Sequence, residues 1–106
     1  MSTLNTAVKS VVKSMVENRM GTLEKAVDAL EKRGKAFKGK VRLFNITLAD
    51  INNSIPFSAQ TFITAEHLQD VADEITEHPK IKAASENNKV YVETASNFVD
   101  VAISNL

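Results

Sequence analysis

The chain has 106 residues, 43% hydrophobic and 25% charged, with no cysteine and a net charge of zero. That composition fits one globular domain with a limited core and is too apolar for disorder; the missing cysteine excludes a disulfide framework, thiolate catalysis and cysteine-bound zinc. The neutral total hides an asymmetry: residues 1–42 carry ten Lys/Arg and four Asp/Glu, whereas residues 43–106 carry three Lys/Arg and nine Asp/Glu.

Such a split points to a basic arm, or to halves that pack on each other or on neighbouring copies. Neutrality favours packing, because nucleic-acid-binding domains are usually net positive. No apolar run approaches the roughly 18 residues of a membrane span. Residues 1–7 lack a basic stretch followed by a hydrophobic block. A cytoplasmic protein without a membrane segment is therefore expected.

Apolar residues predict one long helix over residues 4–37, within a first unit of residues 4–38. They are Leu4, Val8, Val11 and Met15, then Val16, Met20, Leu23, Val27, Leu30 and Phe37, in steps of three and four. From Val16 onward the spacing is a heptad; before Met15 the heptad runs one residue out of register, as in a stutter. Gly21 costs about 1 kcal/mol in a helix interior and marks the place where the helix would break. The heptad crosses it in phase, which favours continuity. A helix of that length is about 51 Å long, while the remaining residues form a globule about 25 Å across if compact. Part of the apolar stripe is then expected to lack cover from its own chain.

A basic connector follows, with Lys32, Arg33, Lys35, Lys38, Lys40 and Arg42 interrupted by Gly34 and Gly39. Residues 41–48 read as a strand, 49–60 as loop, and Thr61-Phe62-Ile63 as a short strand. Thr64 is a good N-cap for a helix reaching His78, with Leu68, Val71, Ala72 and Ile75 on one face and Pro79 as its stop. Residues 80–84 and 89–93 read as two strands around a turn. Thr94 or Ser96 would cap a last helix through Phe98, Val99, Val101, Ala102 and Ile103. The expected class is α+β: one domain, with a long amphipathic helix and a β-(β)-α-β-β-α unit over 39–106. The rhythm of that unit matches a ferredoxin-like split β-α-β without its last strand.

Chemistry finds little purchase. His67 and His78 would lie about 16 Å apart along one helix, too far to share an ion. Neither a P-loop, a GxGxxG pattern nor a nucleophile elbow is present. Glu66, Asp70, Asp73, Glu74 and Glu77 form an acidic helix face that reads as solvated. A non-enzymatic assembly protein without metal or cofactor is expected, a homo-oligomer or a binder of a protein partner. Its seam would be Val16, Met20, Leu23, Val27, Leu30 and Phe37. Two alternatives remain. One is a nucleic-acid-binding regulator using Arg33, Lys35, Lys38, Lys40 and Arg42. The other is an adaptor or inhibitor docking one protein through the acidic face.

Overall fold

The computed structural model describes residues 4–33, 41–60, 63–87 and 89–103. The chain is α+β, as its residue patterns imply. The order is α1 (Thr6–Arg33), β1 (Val41–Thr47), α2 (Leu48–Ser54), α3 (Leu68–Thr76), α4 (Pro79–Glu86), β2 (Val90–Thr94) and β3 (Phe98–Ile103). Short 3₁₀ turns at Phe57–Ala59 and Ala65–His67 lead from α2 into α3. The strands form one antiparallel sheet of order β1-β3-β2, so the last strand in sequence is the central one.

Helix α1 starts where the Asn5 side chain accepts a hydrogen bond from the Val8 amide at 2.9 Å, and it runs unbroken through Gly21. Its buried residues are Val8, Val12, Val16, Met20, Leu23 and Leu30, with Leu4 buried just before it. Val12 is the core residue and Val11 its half-buried neighbour. The expected slip at Met15–Val16 is therefore absent. Residues 4, 8, 12, 16 and 20 form one continuous ridge, and each four-residue step carries the ridge about 40° further round the helix.

Two neighbours explain the pattern. Val12 and Val16 border a cleft whose other wall is Glu74, Glu77, His78 and Pro79, at the junction of α3 and α4. Val11 and Met15 border a second cleft shared with Ser54 of α2. The helix lies in a trough between α2 and α3, and its apolar face is broadened to touch both.

The trough also supplies the missing cover. The molecule measures 48 × 22 × 22 Å, and a 28-residue helix spans about 42 Å. The rest of the chain is laid out along the helix as a prism, not gathered into a sphere under one end of it. The stripe, expected to lack cover in part, is covered along its described residues, with Val11, Met15 and Val27 half-buried against the core.

Four further expectations are corrected. Residues 80–84 lie in α4, not in a strand. Pro79 stands at the start of that helix, where its missing N–H costs nothing, and Ile81 anchors it in the core. Residues 98–103 form β3, not a helix. The Ala95 amide donates to the Phe98 carbonyl at 2.9 Å, closing a two-residue hairpin at Ser96-Asn97 that turns the chain back before a helix can nucleate.

Residues 49–54, read as loop, lie in α2, which also takes in Leu48 from the expected strand. Thr47 and Asp50 build a reciprocal capping box there: the Asp50 amide donates to Thr47 Oγ1 at 3.0 Å, and the Thr47 amide to Asp50 Oδ2 at 3.2 Å. Ile63 is buried but outside any strand, and Thr61 and Phe62 lie outside the described residues. The ferredoxin-like rhythm consequently dissolves: one strand precedes three helices and a hairpin follows them.

The expected face of α3 is present. Leu68, Val71, Ala72 and Ile75 are all buried, and α3 packs on β2 and β3 while α1 and α2 pack on β1. Phe44, Ile46, Val90, Val99, Val101 and Ile103 meet these helices in a single core.

Two substitutions test this arrangement. A Cβ at Gly21 would meet nothing within 4 Å. Gly21→Ala is expected to stabilise the fold by about 0.5–1 kcal/mol in chemical denaturation; a loss of stability would show that the helix is interrupted there. Leu23→Ala removes a core contact and is expected to cost roughly 2–5 kcal/mol with no change of sedimentation coefficient in the folded protein. A changed association state at undiminished stability would return Leu23 to a seam.

Candidate interaction surface

The residues expected to form a seam divide by burial. Val16, Met20, Leu23 and Leu30 are buried within one chain, and Val27 is half-buried against the same core. Phe37 lies outside the described residues. Four of the side chains that periodicity marks as sticky are thus buried within the chain.

Of the basic set, only Arg33 and Arg42 lie among the described residues. Arg33 ends α1, and Lys35, Lys38 and Lys40 lie outside the described residues. Arg42, on β1, has its guanidinium engaged twice. Its Nε donates to Asp100 Oδ2 at 3.0 Å, and its guanidinium carbon stands 5.8 Å from the centroid of the Phe98 ring. The acidic face of α3 is partly neutralised. Glu74 pairs with Lys9 of α1 at 3.6 Å, and Gln69 donates to Asp73 at 3.1 Å. Glu66 and Glu77 are exposed, and Asp70 is half-buried.

The histidines serve the helix boundaries. His67 Nδ1 lies 2.9 Å from Thr64 Oγ1 and 3.4 Å from the Thr64 amide, the place a glutamate takes in a capping box. His78 precedes Pro79, and its Nδ1 is buried with no hydrogen-bond partner. Among the described residues no group of three metal-ligating side chains forms. No described helix is long and apolar enough to cross a membrane.

Among the described residues, four ion pairs join the two halves of the chain. Lys9–Glu74 and Arg42–Asp100 join a basic residue of the first half to an acid of the second, whereas Lys80–Glu24 (2.7 Å) and Lys89–Glu31 run the opposite way. Those to Glu74, Lys80 and Lys89 lie along α1 and hold it against α3, α4 and the start of β2. Such exposed pairs set register more than stability, at about 0–1 kcal/mol each.

Among the described elements, none packs on the second face of the sheet. Because side chains alternate along strands, the residues between those of the core point away from the helices: Asn45 on β1, Tyr91 and Glu93 on β2, and Phe98, Asp100 and Ala102 on β3. The register aligns Asp100 with Asn45 on one side and Glu93 on the other. Ala102 is fully buried yet outside the helix-covered core, as a small residue among larger outward side chains would be. Asp100 is only 4% exposed, and its Oδ1 has no hydrogen-bond partner. Its Oδ2 partner, Arg42, has a side chain 62% exposed. A half-satisfied buried carboxylate under a solvent-exposed cation is an expensive arrangement for a structural residue.

The sequence reading missed this face because it assigned residues 96–103 to a helix. Alternation of Phe98, Asp100 and Ala102 with Val99, Val101 and Ile103 was the available signal. No known family model matches the chain, and no curated protein or solved structure shows significant similarity to it.

The Arg42–Asp100 pair is directly testable by a double-mutant cycle. Arg42→Ala is expected to cost about 1–3 kcal/mol, since it leaves a buried acceptor unmet. Adding Asp100→Ala should recover most of that loss. Simple additivity in urea denaturation would mean that the two side chains are energetically independent.

Proposed function

We propose that the chain is a non-catalytic protein-binding module whose contact surface is the outward face of its sheet, centred on Phe98, Asp100 and Tyr91. One observation carries the reading. The four described helices pack on one side of the sheet through a single core, leaving two half-exposed aromatic rings and an ion pair with a buried carboxylate and an exposed guanidinium on the other. Aromatic residues and arginine dominate the energetics of protein interfaces, and a polar pair beside them sets orientation.

The surface suits a protein better than a nucleic acid. Glu93 and Asp100 would repel phosphates, and the only cation described on this face is held by Asp100. Burial of Val16, Met20, Leu23 and Leu30 within the chain favours this face over a seam on α1. A cleft of about 440 Å³ beside α1 sets Lys9 and Lys13 against Glu74 and Glu77. With no group there paired as nucleophile and base, binding is the more economical reading than catalysis.

Quantitative capture of a stoichiometric protein partner on the immobilised full chain tests the proposal. Phe98→Ser should weaken retention by roughly thirtyfold, the scale of an aromatic hot spot. Lys13→Glu, on the far side of the molecule, should leave it unchanged. Equal retention by both variants, or complex formation only with nucleic acid at low salt, would refute the reading.

A further inference from the structure

The sheet has two edges, and they are not alike. Strand β1 is disturbed by a register shift between Arg42 and Phe44, a bulge of the kind that blunts an edge. It also passes directly into α2. Strand β2 runs Val90-Tyr91-Val92-Glu93-Thr94 in unbroken register with β3. It contains no proline and no glycine, and no described strand pairs with its outer side.

The hydrogen-bond phase of β2 is set by its hairpin. Ala95 donates to Phe98, so the alternation of an antiparallel ladder turns the backbone groups of Glu93 and Tyr91 toward β3. Those of Val90, Val92 and Thr94 face the free edge. The residue best suited to guard that edge, Lys89, has its ammonium drawn to Glu31 of α1.

We infer that two copies of the chain join edge to edge through β2, antiparallel, with Val92 on the two-fold axis. This register satisfies every outward group of the strand, Val92 with Val92 and Val90 with Thr94, in about six backbone hydrogen bonds. On the outward face it sets Tyr91 opposite Glu93 of the other copy, twice by symmetry. A phenol meets a carboxylate there and no like charges face each other. The two sheets become one, of order β1-β3-β2-β2-β3-β1, and the two outward faces become a continuous surface. The inference stands on the edge and not on the face chemistry, so either proposal can fail alone.

Sedimentation of the full chain over a concentration series tests it, with amide hydrogen exchange as a second readout. A species of twice the 11.6 kDa chain mass is expected, with the Val90, Val92 and Thr94 amides gaining protection as it forms. Tyr91→Glu sets like charges opposite each other twice and should weaken the dimer roughly two- to thirtyfold; Tyr91→Lys should tighten it by a similar factor.

A monomer at every concentration would overturn the inference. So would a dimer that leaves the three amides unprotected and ignores both substitutions. Should Tyr91→Glu fail to fold, the amide protection and Tyr91→Lys still decide the matter. A monomer that retains a partner sensitive to Phe98→Ser sinks the dimer and keeps the face. A dimer whose partner binding ignores that substitution does the reverse.

Discussion

The structure depends on the burial of one ridge. Leu4, just before α1, and Val8, Val12, Val16, Met20, Leu23 and Leu30 along it must be removed from water together. Each fully buried aliphatic side chain contributes about 1.5–3 kcal/mol relative to exposure, so the ridge outweighs the surface ion pairs and caps nearby. A chain of this size cannot cover so long a ridge with a sphere. It extends α2, α3, α4 and the sheet along the helix, and the 48 Å long axis of the molecule follows.

That solution has a consequence for the sheet. With three strands and every described helix recruited to the α1 side, no described element is left to cover the other face. Strand β3, central and apolar on its inner side, therefore carries Phe98, Asp100 and Ala102 outward. Asp100 lies there with one oxygen bound by Arg42 and the other unmet. A carboxylate in that position reduces stability and offers geometry in return, which is why the proposed contact surface is centred on it. The same economy of strands leaves β2 as an undefended edge.

Parts of this were legible from residue order. The long helix, strand β1, the apolar face of α3 and strand β2 all have strong local periodicity, and they form where that periodicity places them. Helix α2 was hidden because Asn52, Asn53 and Ser54 look like loop, although Thr47 and Asp50 carry a capping signal. The swap of helix and strand at 80–84 and 98–103 has a common cause. Short apolar runs are compatible with either state, and only partners across the fold decide between them. Ile81 is helical because α4 packs on α3 and β2, and Val99 is extended because β1 and β2 bind it on both sides.

The candidate surface was the least legible feature. Periodicity identifies which side chains seek an apolar partner but not whose chain supplies it, and so the ridge of α1 was read as an interface. Residue order by itself determined the class of the fold and the existence of the long first helix, whereas its continuity through Gly21 came from the tertiary structure. Tertiary structure alone decided that the ridge is core and that Val12, not Val11, belongs to it. It also decided that the last strand sits in the middle of the sheet with one face outward. The physical reason is that hydrophobic burial is non-directional: a stripe states how much surface must be hidden, and only the assembled chain states what hides it.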